Sequence, residues 1–86
     1  MPIVSMFFGI IIRMYYQEHN PPHLHAEYQG SKALLDFRGN IMKGDLCSKT
    51  ALRLVREWID LHLDELNDDW ELARSGNEIK QITPLE

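Results

Sequence analysis

Three of the four histidines fall within the stretch His19-Asn20-Pro21-Pro22-His23-Leu24-His25, and the fourth, His62, stands apart from them. Imidazole binds borderline metals and changes its charge near neutral pH, so this clustering has two chemical readings. On an extended strand His23, His25 and Glu27 project from one face, about 6.5 to 7 Å apart along the chain, and His19 can fold over them from the Pro-Pro corner. As a metal site, His23 and His25 supply two ligands to zinc or a similar divalent ion, His19 or Glu27 a third, and water the open position. As a metal-free site, His23 and His25 act as general base and acid on a phosphodiester, assisted by His19, which is ribonuclease-like chemistry. Arg13, Lys32 or Tyr15 on the same outer face would then stabilise the added negative charge, with Arg13 contacting phosphate. In either case Asp36, opposite His23, would orient an imidazole by accepting its second N–H. The plainer reading is a solvated histidine row on an exposed sheet face, held by Asp36 and the neighbouring turn. All three stay open at the level of sequence.

The elements that must position these groups are strands. Residues 3–8 and 10–16 are rich in β-branched and aromatic side chains and meet near Gly9, and Ile10, Ile12, Met14 and Tyr16 form the better core face of the second. Gln29-Gly30 is a two-residue turn between His23–Tyr28 and a strand over 31–38, which fixes the register. Tyr28 then faces Ser31, Ala26 faces Ala33 and Leu24 faces Leu35 on the core side. Glu27 faces Lys32, His25 faces Leu34 and His23 faces Asp36 on the other. Ile41-Met42, between Gly39-Asn40 and Gly44-Asp45, is a candidate fifth edge strand.

Helices follow. Ser48 is the expected N-cap of a long helix reaching about Leu66, with Leu52, Val55, Ile59, Leu63 and Leu66 at core spacing. A second row, Leu54, Trp58 and Leu61, widens the apolar stripe beyond what one sheet contact requires, which points to a second surface covered by another helix or by a partner, a small protein or a second copy. Asp68 to Glu71 has the form of a cap for a short second helix ending near Gly76. The expected class is therefore α+β: an antiparallel sheet of about four strands packed against one long C-terminal helix plus a short second helix. One domain spans 1–86, with strands over 1–47, helices over 48–76 and a tail over 77–86.

Composition bounds the rest. A chain of 86 residues that is 44% hydrophobic and 26% charged is an ordinary small globule, and it buries only about 60 to 65% of the surface its unfolded form exposes. One cysteine, Cys47, excludes a disulfide scaffold and favours a reducing, cytoplasmic setting. The apolar stretch over 6–12 is far shorter than the ~20 residues of a membrane span and lacks a secretory pattern around it. Residues 1–47 carry four basic and four acidic side chains, and residues 48–86 five and nine, so the net charge of −4 belongs to the second half. The acidic helices repel nucleic acid and the sheet face does not. Lys49, Arg53 and Arg56 line one side of the long helix near its positive end, where an anion could bind. Pairing of Arg53 with Glu57 and of Arg56 with Asp60 is the plainer reading there.

The histidine stretch, with Phe7-Phe8-Gly9-Ile10-Ile11-Ile12-Arg13-Met14-Tyr15-Tyr16 before it and Ala51-Leu52-Arg53-Leu54-Val55-Arg56-Glu57-Trp58 after it, closely resembles the bacterial domain-of-unknown-function family 4160. Trp70-Glu71-Leu72-Ala73-Arg74, Ile82 and Pro84-Leu85 extend the resemblance over nearly the whole chain. The resemblance implies a small bacterial protein, often encoded beside another small domain in an arrangement like a toxin-antitoxin pair. It implies no activity.

Overall fold

The computed structural model describes residues 3–86. Five antiparallel strands, β1 (Ile3–Phe7), β2 (Ile10–Arg13), β3 (His23–Tyr28), β4 (Ser31–Asp36) and β5 (Ile41–Gly44), form one sheet in sequential order, followed by α1 (Lys49–Leu61) and α2 (Leu63–Arg74). The α+β class holds, with a full fifth strand and two helices of nearly equal length. Two hairpins use two-residue turns with both residues in the left-handed region: Phe8 and Gly9 (φ 49° and 79°), and Gln29 and Gly30 (φ 48° and 84°). That backbone matches the twist of the flanking strands, and it settles Gly9 as a turn residue. The β3–β4 register pairs His23 with Asp36, Leu24 with Leu35, His25 with Leu34 and Ala26 with Ala33, as the loop length predicts.

Register then decides which residues are buried. Phe7, Ile10, Ile12, Leu24, Ala26, Ala33 and Leu35 lie on the covered face and form the core with Val55, Trp58, Ile59, Leu66 and Trp70 of the helices. The opposite face, with Ile11, Arg13, His25, Glu27, Lys32 and Leu34, has no helix over it and is partly exposed. Met14 continues the core row as expected, whereas Tyr16 turns outward and is 43% exposed.

The long helix expected to reach Leu66 ends instead at Leu61, with His62 as its C-cap. Residues 49–74 as one straight helix would run about 39 Å, longer than the molecule's largest dimension of 33 Å. A break at His62 lets both segments bury a face on the same small core. His62 marks it with a hydrogen bond from the ring to Glu65 (2.7 Å). Ser48 caps α1 as predicted, its Oγ accepting from the Ala51 N–H at 3.1 Å.

Residues beyond Gly76 form no helix or strand, yet they are fixed. Ile79 and Ile82 are buried, the Ile82 N–H donates to the Val4 carbonyl (2.9 Å), and the Lys80 N–H donates to Asp69 (3.0 Å). The Trp58 indole N–H donates to the Thr83 carbonyl at 2.9 Å. This strap corrects the interface reading of the second apolar row. Trp58 is wholly buried against Phe7 and the strap, Leu54 packs against the core, and Leu61 alone is open, at 64%. The wide stripe is covered by the chain's own C-terminal residues. No helix among the described residues is long and apolar enough to cross a membrane.

Candidate metal centre

The site is assembled from a strand and the connection that precedes it. The chain leaves the sheet after β2, and Gln17 adopts a left-handed conformation (φ 57°) while its N–H donates to the Ala73 carbonyl of α2 at 3.4 Å. That contact pins the start of the loop to the second helix. The Pro21-Pro22 corner, whose Asn20–Pro21 peptide is cis, returns the chain into β3. Glu18 is thereby laid across the first residues of the strand.

Its two carboxylate oxygens divide between two rings: Oε2 lies 3.1 Å from His23 Nε2, and Oε1 lies 2.7 Å from His25 Nε2. One ligating atom from each of Glu18, His23 and His25 falls within 4.8 Å of the others. His23 is buried, its ring 5.3 Å from that of Trp70, which also packs on Phe37. His25 is half-buried, with the Tyr15 ring edge-on at 4.4 Å. Partial burial alone would raise the Glu18 carboxyl, but hydrogen bonds and charge from His25 and His23 outweigh it and hold the group below its ordinary range.

The second nitrogen of His23 fixes the chemistry. Nδ1 lies 2.8 Å from the Pro21 carbonyl, an oxygen that only accepts, so Nδ1 carries the proton. Nε2 then faces a carboxylate oxygen 3.1 Å away. Two acceptors at that separation require something positive between them, a proton or a metal ion. A backbone carbonyl holding the outer N–H of an imidazole is the usual way to orient a metal-ligating histidine. Tetrahedral zinc with ligand bonds of about 2.0 to 2.2 Å places its ligands roughly 3.3 Å apart. From 3.1 and 2.7 Å the two contacts would open by about 0.2 and 0.6 Å, and the ligand atoms, now within 4.8 Å of one another, would draw in around an ion.

Sequence reasoning named His23 and His25 and chose the wrong companions. His19 is exposed in the loop and does not join the cluster. Glu27 is on the expected face but pairs with Arg13 on β2, which occupies its carboxylate and holds the guanidinium on the outer face. Asp36 opposes His23 in register, yet its Oδ1 accepts from the Arg38 and Asn40 N–H groups at 2.8 and 3.0 Å. It closes the β4–β5 turn and orients no imidazole. Burial pushes its carboxyl up, and the turn's hydrogen bonds, with the Arg38 charge, together bring it below its ordinary value. Glu18 was missed because it precedes the strand. The signal available was the Pro-Pro corner, which reverses the chain and brings a residue several places upstream over the strand's start.

The basic residues of α1 stand apart from this cluster. Lys49 and Arg53 are exposed, and the Arg56 Nε–H donates to the Gly39 carbonyl at 2.9 Å, tying α1 to the β4–β5 loop. Among the described residues neither the Arg53–Glu57 nor the Arg56–Asp60 ion pair forms.

A family model described as a domain of unknown function, DUF4160, matches residues 9–71, well over half of the chain. The chain belongs to this family. The DUF4160 match runs from the β1–β2 turn into α2 and so includes Glu18, His23 and His25, together with Trp70 behind them. No curated protein and no solved structure matches the chain significantly.

Proposed function

We propose that this DUF4160 chain is a divalent-metal-binding module in which Glu18, His23 and His25 hold zinc or a similar ion, leaving at least one coordination position for water or substrate. The observation that carries the reading is the His23 ring, whose Nδ1 is held by the Pro21 carbonyl so that Nε2 faces the Glu18 carboxylate. Two histidines and one carboxylate form a three-ligand set of the kind catalytic zinc uses, and zinc in such a set lowers the pKa of its bound water toward neutrality. A metal-free acid-base pair is less well supported. His23 is 6% exposed and both its nitrogens are engaged, so it has no free position from which to exchange a proton with substrate. Titration of chelator-treated protein with zinc, followed by calorimetry and elemental analysis, tests the reading. Stoichiometric binding supports it, and its absence at micromolar zinc refutes it.

A second reading concerns what the centre acts on. Arg13 neighbours His25 across the β2–β3 pair, and Lys43 lies two strands further along the same uncovered row beyond Leu34. These cations favour an anionic substrate such as RNA, cleaved at the phosphodiester by metal-activated water, in a cytoplasmic bacterial module of a toxin-antitoxin-like pair. Induced expression with total RNA followed on a gel tests this. Intact RNA, or equal cleavage by the His23→Ala, His25→Ala double variant, removes the nuclease reading and leaves metal binding standing.

A further inference from the structure

Between α2 and the C-terminal strap lies a groove of about 530 Å³, within the size range of sites that bury a ligand. Glu65, Asp68, Asp69 and Glu71 line it from the helix against one cation of the strap, Lys80, and Leu72 and Ile82 supply apolar wall. Asp69 is the unusual member. It is 2% exposed, its Oδ1 accepts the Lys80 N–H at 3.0 Å, and its Oδ2 is buried with no partner at all. A buried carboxylate oxygen without a donor is costly, and a group that brings a donor and a positive charge would relieve it.

We propose that this groove is a docking site for a basic segment of a partner protein, which places an arginine side chain against Asp69, with its stem along Leu72 and Ile82. The acids are spread along more than one turn of helix, and the only ligand set that converges as a metal requires, among the described residues, is the one at Glu18, His23 and His25. A small ion therefore fits the groove poorly. An arginine fits it on two counts: the planar fork donates to one carboxylate while meeting the charge of its neighbours, and the aliphatic stem covers apolar wall. Charge complementarity is strong here, because α2 and the turn before it carry five acids from Asp64 to Glu71 before the first cation at Arg74. The groove is also preformed, since the strap that builds one wall is hydrogen-bonded to Val4 and Trp58. The Asp69 carboxyl is raised: burial, then the charges of Asp68 and Glu65, push it up against the N–H and the charge of Lys80, which lower it. The inference does not depend on the metal centre.

The test is fluorescence polarisation, in the presence of a metal chelator, with a labelled eight-residue peptide alternating leucine and arginine and a leucine-glutamate peptide as its counterpart. The arginine peptide is expected to bind and the glutamate peptide not. Asp69→Asn is expected to weaken binding by about tenfold or more, and Glu57→Gln, on α1 and outside the groove, to leave it unchanged. If Asp69→Asn does not fold, the exposed pair Glu65→Gln, Asp68→Asn decides by the same criterion. Equal affinity of the two peptides, or undiminished binding by the folded groove variant, overturns the proposal.

Discussion

Glu18→Gln separates ligation from folding at the metal centre. In the ion-free protein the Glu18 carboxylate bonds both His23 and His25, and a glutamine of the same shape can keep only part of those contacts. Because His25 and His23 hold the carboxyl below its ordinary range, its loss is expected to lower the melting temperature modestly without metal. With metal the gap widens. At a free zinc concentration a hundredfold above its dissociation constant, the wild type gains about 2.7 kcal/mol. Unfolding entropy of roughly 2.1 cal/mol/K per residue gives about 0.18 kcal/mol/K for the 86 residues. The wild-type melting temperature should thus rise by about 15 °C. If loss of the carboxylate weakens binding by about a hundredfold, the gain at the same zinc concentration shrinks to about 0.4 kcal/mol, or about 2 °C. Differential scanning calorimetry of both proteins with chelator and with zinc measures all four temperatures. A wild-type melting temperature unmoved by zinc, or an equal zinc shift in the variant, would refute the ligand assignment.

Two further outcomes follow from the packing. Asp69 holds its proton more tightly folded than unfolded, so its contribution is greatest below the ordinary aspartate range and declines as pH rises through its raised value. Glu18 has the opposite sign: its contribution in the ion-free protein is present above the ordinary glutamate range and lost as pH falls toward its lowered value. Urea midpoints across pH should show Asp69→Asn losing the decline on the alkaline side, and an unchanged profile would contradict the burial argument. Gly44 has φ 82°, and a Cβ there would lie 2.3 Å from the Lys32 carbonyl oxygen. Gly44→Ala should cost at least about 2 kcal/mol in urea unfolding, with hydrogen exchange in β5 rising most, and a loss near zero would show that the β4–β5 pairing yields freely.

What the sequence made visible was local. The Gln29-Gly30 turn determined a full strand register because loop length and side-chain alternation leave no other pairing that buries Leu24 and Leu35. Ser48 announced a helix start because a cap acts within three residues. The misreadings concern groups whose partners are distant or whose length must fit the whole molecule. The break at His62 follows from the size of the core, which no window of helical periodicity contains. Trp58 looked available to a partner because its cover, Thr83, lies 25 residues away in a tail without regular structure. At the site, same-face alternation found His23 and His25 but favoured Glu27 and Asp36. Each of those had a nearer partner, Arg13 and the Arg38–Asn40 turn, and the third member of the cluster came from a loop where alternation does not apply.

The strap also sets the order in which this molecule can be completed. Val4 lies in β1, and the Ile82 N–H it receives is made 78 residues later in the chain. Trp58 waits for Thr83, and Tyr16 for Ile79, 63 residues later. The hairpins and α1 can form on local contacts as they emerge, but the core around Trp58 cannot close until the residues around Thr83 have been made. Until then a nascent chain presents an apolar helix face that the finished protein conceals. A chain cut short by ten residues would keep every strand and both helices and still expose that face.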